Sequence, residues 1–365
     1  MDHGGSRPVR SSEIRRANEK TILRMLHEKG HLSQSNIAEH AGLQPSTVFR
    51  IFTSLEERSL IRPVEHAGQR EERRGRKPSY YGLEPSARIF VGAELSGTGT
   101  SVSVVDFNGR TIHHETHLGR TDVDGNRALS DLIDILHRGI VASRARTGRI
   151  VGIGIGVPGV VDTVTGTILD YERFQGMNGL RIGDLVSEEL GIPSVVHNNA
   201  SVIALAEYRF GNVSGTHSAV AFLLRAGMGA AYVVDGRIVE SHGRSIFEVG
   251  HLLTDLSTSR SDSARDPVVL EEFLGERAIR RCVAEADGTS TDWPSIIRRL
   301  EVGDEELRRL LRPSADLLAG VARNVSLLLS PESFLIITRF HALSRFFADS
   351  IERRFRDVSD PVRLG

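Results

Sequence analysis

Residues 32–61 read LSQSNIAEHAGLQPSTVFRIFTSLEERSLI, and this stretch decides the fold of the N-terminal part of the chain. Ser33 can accept a hydrogen bond at the start of a helix, and Gly42 can adopt the left-handed turn that ends it. Pro45 suits the first position of a following helix, where its missing N–H is not needed. Apolar residues then recur at helical spacing through Leu55. The pattern predicts two helices joined by a tight turn, as in a helix-turn-helix.

The flanking segments extend this module. Apolar residues recur at helical spacing in 12–29, and Gly30 follows them, which predicts a preceding helix. A short apolar strand at Leu60-Ile61 and a second strand at 80–83 enclose a polar stretch rich in arginine. Two strands around a basic loop form a wing, so the sequence predicts a winged helix-turn-helix that is mostly helical.

The stretch 32–61 resembles the winged helix-turn-helix of bacterial repressors over its whole length. In such modules the third helix lies in the major groove of DNA, where short polar groups and arginine reach base edges and phosphates. The candidate DNA contacts at the exposed start of this helix are Gln44, Ser46, Thr47 and Arg50. A three-helix module that serves only packing or dimerisation is the alternative.

The wing contributes a second set of candidate DNA contacts. Residues 73–78 read Arg-Arg-Gly-Arg-Lys-Pro and resemble the Gly-Arg-Pro segment that often joins a wing to a sensor domain. An extended segment of this kind can lie in a narrow minor groove, which makes Arg74, Arg76 and Lys77 candidate contacts. Residues 1–80 carry a net charge of +5 and the rest of the chain −6, which favours a polyanionic partner for the N-terminal part. A solvated linker is the alternative for this segment.

Composition limits the class of protein. The 365 residues are 39% hydrophobic and 25% charged, as in globular proteins, and their number calls for more than one domain. The sequence contains neither a run of eighteen apolar residues nor a secretion signal at its start. Cys282 is the one cysteine, which excludes an internal disulfide and fits a reducing compartment. We therefore expect a cytoplasmic protein that does not contact a membrane.

From about residue 87 the pattern changes to strands and glycine-rich turns. Three short strands over 89–117 precede a helix over 126–146 and a buried strand over 150–157, and a similar series begins at 219. Within that second series, the pattern predicts one continuous strand over 237–240. Two β-β-β-α-β-α halves predict an α/β domain with two lobes and a cleft.

Six segments of this region resemble, in the same order, those of the ROK family, which is named for repressors, open reading frames and sugar kinases. They are a first phosphate loop at 91–109, a second loop at 152–162, a substrate segment at 197–212, a third glycine loop at 225–239, the motif Glu-x-Gly-His within 247–252, and the strand entering the nucleotide site at 327–337. The resemblance implies a two-lobed ribonuclease H-like, actin-like ATPase fold.

The expected organisation therefore has three parts. They are a winged helix-turn-helix at 1–64, a wing and basic linker at 65–86, and a kinase-like sensor domain at 87–365. The lobes of the sensor domain are expected at roughly 87–198 plus a C-terminal helix, and at 199–340. ROK domains usually end with a further helix, which leaves a naturally short tail and a fragment as alternatives.

Departures from the kinase pattern argue against catalysis. ROK kinases use the Asp of an Asn-Asp pair to take the proton of the sugar hydroxyl. Here the pair is Asn198-Asn199, and an amide is not a base at neutral pH. Arg225 replaces the first glycine of the third loop, where a side chain would crowd the phosphates, and Thr338-Arg339 replaces the Gly-Gly beside adenosine. The sequence predicts that no residue is catalytic and that no cofactor is bound.

The family's metal site is also incomplete, whereas its sugar-binding groups are retained. The family places the His of Glu-x-Gly-His on zinc with three cysteines, but residues 252–270 after His251 contain no cysteine, so we expect no metal. The residues that match the sugar-binding positions are Asn198, Asn199, Glu248, His251 and Glu271, with Glu272 as the alternative to Glu271. Glu248 and His251 can face one pocket, and a structural ion pair is the alternative.

Together these patterns predict a DNA-binding transcriptional regulator of carbohydrate genes, expected to be a repressor. Its expected partners are a double-stranded DNA operator and a sugar or sugar phosphate effector, and it is expected to act as a homodimer or a dimer of dimers. Two alternatives remain. One is a residual ATP-dependent sugar kinase with an accessory DNA-binding domain. The other is a regulator whose sensor domain binds a protein partner.

Overall fold

The computed structural model describes residues 11–65, 79–97, 99–118, 124–143, 148–171, 176–245, 247–254, 269–287 and 292–356. The chain divides into two compact units. The first comprises Met1–Gly92, Val102–Glu115 and Asp134–Ile153, and the second comprises Ala93–Ser101, Thr116–Ile133 and Gly154–Gly365.

The N-terminal elements are those of a winged helix-turn-helix. In chain order they are α1 (Ser11–Lys29), β1 (Leu32–Ser33), α2 (Gln34–Ala41), α3 (Pro45–Glu57), β2 (Ile61–Val64) and β3 (Tyr80–Leu83). The strands form an antiparallel sheet in the order β1-β3-β2. The sequence predicted β2 and β3 but not β1, because a strand of two residues carries no periodicity.

Local capping explains why the helices begin and end where they do. The Ser33 hydroxyl accepts a hydrogen bond from the Asn36 backbone N–H at 3.1 Å, and the Asn36 side chain accepts one from the Ser33 N–H at 3.2 Å. Gly42 ends α2 with a φ of 62°, a conformation that favours glycine. The module has its own core, in which Ile22, Ile37 and Phe52 have no exposed surface.

The first half of the kinase-like region contains a mixed set of strands and helices. They are β4 (Arg88–Ser96), β5 (Gly99–Asp106), β6 (Thr111–Leu118), α4 (Gly125–Ser143), β7 (Arg149–Val157), β8 (Val160–Asp162), β9 (Thr167–Asp170), α5 (Ile182–Leu190) and β10 (Ser194–Asn198). Five of the strands form a sheet in the order β10-β7-β4-β5-β6, and β8 and β9 form a separate hairpin. Alternate residues of β4 are buried, as expected for a strand with one face in a core.

The second half repeats the strand-rich start and ends in helices. Its elements are α6 (Asn199–Phe210), β11 (Ser218–Leu224), β12 (Met228–Val234), β13 (Arg237–Ile238), β14 (Glu240–Ser241), β15 (Arg244–Ser245), α7 (Glu271–Leu274), α8 (Glu276–Asp287), α9 (Trp293–Glu301), α10 (Glu305–Leu329), β16 (Ser333–Ile337) and α11 (His341–Arg356). The sheet has the order β13-β12-β11-β16. All residues of β11, its second strand from one edge, are buried.

The prediction of one continuous strand over 237–240 was wrong. β13 pairs with β12, whereas β14 pairs with β15 across a tight turn. His242 and Gly243 in that turn have φ values of 51° and 75°, and this left-handed pair reverses the chain. The sequence pattern over 237–240 shows only that the segment is extended. It does not show that the first half pairs with one strand and the second half with another.

Aromatic packing closes the core of the second half. The ring of Phe334 lies 5.8 Å from that of Phe222 and 5.8 Å from that of Phe355, measured between centroids. These contacts join β11, β16 and α11. Among the helices in the described part of the chain, none is long and apolar enough to cross a membrane.

Candidate functional sites

The structure brings the five candidate sugar-binding residues together. Within the second unit, a cleft of about 190 Å³ is lined by Asn198, Asn199, Glu248, His251 and Glu271. They come from the end of β10, the start of α6, the turn that follows β15, and the start of α7. A cleft lined by amide, carboxylate and imidazole groups offers the donors and acceptors that sugar hydroxyls require.

The two asparagines have different positions in the hydrogen-bond network. The Asn198 side chain caps α6 by accepting from the Ser201 N–H at 3.1 Å, and it donates to the Gly159 carbonyl at 2.8 Å. Asn199 is the first residue of α6, and in the described part of the structure its side chain makes no hydrogen bond. Asn198 therefore joins the start of α6 to the turn at Gly159, and the described contacts assign no such role to Asn199.

Two glycines allow the walls of the cleft to approach each other. Gly159 has a φ of 80°, and a Cβ atom there would collide with the carbonyl oxygen of Asp170 at the end of β9. A Cβ atom at Gly250 would lie 2.6 Å from the carbonyl oxygen of Met228 at the start of β12. The Gly of Glu-x-Gly-His is thus needed for a turn that packs directly on β12.

The carboxyl group of Glu248 has a perturbed environment. Burial raises its pKa above the ordinary value, and the nearby carboxylates of Asp170 and Glu271 raise it further, while His251 opposes them. Glu248 nevertheless keeps exposed surface in the cleft. Three acidic side chains near one imidazole form a cluster of acceptors that can be satisfied by several hydroxyl donors. Asp170 could not be identified from the sequence. It reaches the cleft because the end of β9 packs closely against Gly159, and this is a tertiary contact.

The two arginines that depart from the kinase pattern both line the cleft. Arg339 pairs with Glu276, the first residue of α8: its Nε donates to Oε1 at 2.7 Å, and its second contact joins Nη2 and Oε2. The Glu276 side chain is almost fully buried, and its backbone N–H donates to the Arg225 carbonyl at 2.6 Å. Sequence reasoning missed Glu276, because an acidic residue in a first helical turn is ordinary there.

The described residues contain no group of three or more His, Cys, Asp or Glu side chains that could hold a metal ion. His251 lies in the cleft, and the polar stretch 255–268 after it falls outside the residues that the structure describes.

The candidate DNA contacts divide into described and undescribed residues. On α3, Val48 and Phe52 are buried in the module, while Gln44, Ser46 and Arg50 are exposed and Thr47 is half-buried. Arg74, Arg76 and Lys77 lie outside the described residues.

The outer face of α3 also carries Phe49, whose side chain is 59% exposed. Phe49 is not among the residues that the sequence pattern indicates for DNA contact, because an aromatic residue within a helix usually belongs to the core. One feature of the sequence could have identified Phe49: it lies next to Arg50 and does not fall on the helical spacing of the buried residues of α3.

Family comparison identifies the larger part of the chain. The ROK family model matches residues 90–358, and the MarR family model matches residues 17–68. The chain belongs to the ROK family. A xylose repressor from Caldicellulosiruptor bescii is 22% identical over 358 residues, which cover 94% of this chain and 88% of that protein. The DNA-binding transcriptional repressor Mlc from Escherichia coli is 21% identical over 259 residues, which cover 68% of this chain and 61% of Mlc.

Solved structures of ROK proteins confirm the predicted fold class. A ROK family transcriptional regulator, described as a homologue of E. coli Mlc, matches with a TM-score of 0.75 and 22% identity, covering 96% of this chain and 91% of its own. A ROK glucokinase from Streptomyces griseus, in complex with glucose and AMPPNP, matches with a TM-score of 0.62 and 20% identity. It covers 75% of this chain and 91% of its own. This ROK protein therefore combines an N-terminal winged helix with the kinase-like fold.

Proposed function

We propose that this ROK protein is a DNA-binding transcriptional repressor whose kinase-like domain binds a sugar or sugar derivative without phosphorylating it. The observation that carries the proposal is the composition of the cleft, which retains hydroxyl-binding groups but has Asn199 at the position of the base. The names of the similar proteins support it, since they include a xylose repressor and an N-acetylglucosamine repressor.

The absence of catalysis is part of the proposal. Phosphoryl transfer to a hydroxyl needs a group that accepts its proton, and the amide of Asn199 cannot do so at neutral pH. The Arg339–Glu276 pair and Arg225 add charged side chains to the same cleft. We expect sugar to bind without turnover of ATP.

DNA recognition is assigned to the exposed face of α3. Arg50 can donate two hydrogen bonds to a guanine, and Phe49 can contact the methyl group of a thymine. Gln44, Ser46 and Thr47 would contact phosphates or base edges, and Arg74, Arg76 and Lys77 would reach the minor groove.

A homodimer would place two copies of α3 in successive major grooves of a palindromic operator. Binding of the effector in the cleft would then change the affinity for DNA by favouring one of two conformations.

Four measurements on the full chain test this function. Selection from random DNA duplexes should yield a palindromic site, and anisotropy titrations on that site should give affinities that change when the effector sugar is added. A thermal-shift screen of common sugars should find at least one ligand. A coupled assay should detect no ATP-dependent phosphorylation, whereas turnover at about 1–100 per second would favour the residual kinase. Specific DNA binding without any sugar response would favour a protein partner for the sensor domain.

A further inference from the structure

Two residues that do not line the cleft connect segments that carry cleft residues. His197 is the next-to-last residue of β10, and Glu240 is the first residue of β14. The His197 Nε2 atom lies 2.7 Å from Glu240 Oε1, and the two side chains are 29% and 22% exposed. The Nδ1 atom of His197 is buried and has no hydrogen-bond partner in the described part of the structure. Glu240 is therefore the polar partner that the described residues supply to this ring.

Thr163, in the turn between β8 and β9, connects a third segment to this pair. Its hydroxyl lies 3.3 Å from Glu240 Oε2 and 3.0 Å from the Gly243 carbonyl oxygen. Its backbone N–H donates to the same carbonyl at 2.8 Å. A Cβ atom at Gly243 would lie 2.9 Å from the Val164 side chain, so the two hairpin turns pack closely. His197, Glu240 and Thr163 thus form a tie between β10, the β8–β9 hairpin and the β14–β15 hairpin.

Each of the three connected segments carries a residue that lines the cleft. Asn199 follows His197 by two residues, Asp170 is the last residue of β9, and Glu248 lies three residues beyond β15. Groups on separate segments bind one small ligand well only when their spacing is held by supporting contacts. The tie supplies such contacts between all three segments.

We propose that His197 and Glu240 are positioning residues of the effector site. Their contact fixes the spacing of the segments that carry Asn199, Asp170 and Glu248, and so determines the affinity for sugar, although neither residue touches the ligand. This inference rests on the proposed function, because it assigns supporting residues to the same cleft. A pair that served only stability would change the melting temperature and leave the sugar affinity unchanged.

The same compact unit contains a second histidine–carboxylate pair, which serves as the matched control. His217 Nδ1 lies 2.6 Å from Asp235 Oδ1, and these side chains are 60% and 68% exposed. They flank the β11–β12 hairpin at the end opposite to Met228, which lines the cleft. Exposed pairs contribute little to stability, and this one connects no segment to the tie. Removing it should therefore leave the cleft unchanged.

Calorimetric titration of the full chain tests the effect on affinity. The probes are glucose, xylose and N-acetylglucosamine, and the sugar that binds the wild type most tightly is used for the variants. His197→Ala and Glu240→Ala should each weaken its binding by about 10-fold, the loss of a hydrogen bond to a charged group. The double variant should lie within about 3-fold of the weaker single variant, because both substitutions remove the same contact. His217→Ala should bind as the wild type does.

Hydrogen exchange of the protein without ligand measures the positioning itself. In His197→Ala and Glu240→Ala, the amides of 159–171 and 198–201 should exchange faster than in the wild type. They include the Ser201 N–H that the Asn198 side chain accepts. Amides of the β11–β12 hairpin should not change. Glu240→Gln keeps the shape of the side chain and an acceptor for Thr163, so this milder variant carries the test if an alanine variant fails to fold. It should show a smaller loss of affinity in the same direction.

The outcomes separate this inference from the proposed function. Unchanged sugar affinity in both single variants, with a lowered melting temperature, would make the tie purely structural and overturn the inference. An equal loss for His217→Ala and His197→Ala would also overturn it. If no sugar bound to the wild type, the sugar response would fail as a function. Faster exchange confined to the cleft segments would then still support the positioning role, and unchanged exchange there would overturn it.

Discussion

Glu248 shows how the burial of one carboxyl group in the cleft makes the stability of the protein depend on pH. Its carboxyl pKa is raised, with burial as the main cause. A raised carboxyl pKa means that the folded protein binds the proton more tightly than the unfolded chain does. Stability therefore decreases as the pH rises from the ordinary carboxyl pKa of about 4.3 to the raised value, and it does not recover at neutral pH.

We therefore expect Glu248→Gln to unfold at a temperature equal to or higher than that of the wild type at pH 7. The difference should shrink as the pH falls to about 4, where the wild-type carboxyl group is increasingly protonated in both states. Thermal melts between pH 4 and 8 in one buffer series measure this. A variant less stable than the wild type at pH 7 would show that the carboxylate has a structural role, as in the alternative of an ion pair.

The ion pair between Arg339 and Glu276 leads to a second prediction for single residues, which concerns the free energy of unfolding. Arg339→Ala should lower the free energy of unfolding by about 1.5–3 kcal/mol, the range for a hydrogen bond to a charged group. The loss is smaller than for a fully buried pair, because the Arg339 side chain is 35% exposed. Chemical denaturation measures the change.

The double variant Arg339→Met with Glu276→Leu is the control for this pair, because it removes the buried charge together with its partner. It should lose less stability than Arg339→Ala alone. A double variant that is less stable than the single one would mean that packing, rather than charge, accounts for the effect.

At the level of elements, α3 presents two chemically different groups to solvent, and each predicts its own behaviour on DNA. For Arg50, the hydrogen-bonding group, Arg50→Ala should weaken binding to the selected operator by about 1–3 kcal/mol more than binding to random DNA. Arg24→Ala on α1 removes an exposed arginine of the same module and serves as the matched control. Equal losses on both DNAs would mean that Arg50 contacts only phosphates.

Phe49 provides the apolar group of the same helix. If it contacts a thymine methyl group, replacement of that thymine by deoxyuridine should weaken binding by the wild type but not by Phe49→Ala. Scanning each thymine of the operator locates the contact. A wild type that is insensitive to every such replacement would show that Phe49 faces something other than a base.

Elements that form through local interactions could be predicted from the sequence, whereas elements that depend on contacts between distant segments could not. The helices α2 and α3 could be predicted, because Ser33, Gly42 and Pro45 act within one turn of the chain. The break between β13 and β14 could not, because it depends on which strand each segment pairs with. Four of the five sugar-binding candidates lie in segments that resemble family motifs, and Glu271 was matched to a family position outside those segments. Asp170 and Glu276 belong to no such motif and join the cleft only through tertiary contacts.

At the scale of the whole molecule, the proposed function requires that the cleft and the DNA-binding helix influence each other. The winged helix lies in the first compact unit and the cleft in the second. A ligand changes DNA affinity only as far as it binds one conformation more tightly than the other, and DNA must change ligand affinity by the same factor. The response to sugar and the basal affinity for DNA are therefore separable by mutation.

Glu248→Ala and His251→Ala should each abolish the response to the effector while leaving operator affinity without effector almost unchanged. Both side chains lie in the cleft, and both belong to the second unit. Loss of a hydrogen bond to a sugar hydroxyl costs about 0.5–1.5 kcal/mol for a neutral group and about 1.5–3 kcal/mol for a charged one. Allosteric couplings are typically about 1–3 kcal/mol, so a loss of this size is enough to silence the response.

Operator affinity with and without effector, for the wild type and both variants, measures this directly. Glu305→Ala, at an exposed acidic residue that does not line the cleft, is the control and should respond as the wild type does. Variants in Glu248 and His251 that kept the full response would show that the effector acts elsewhere, and a protein partner would then be the better explanation. If both variants lost operator binding without effector, these residues would be structural, because a ligand contact cannot alter affinity in the absence of the ligand.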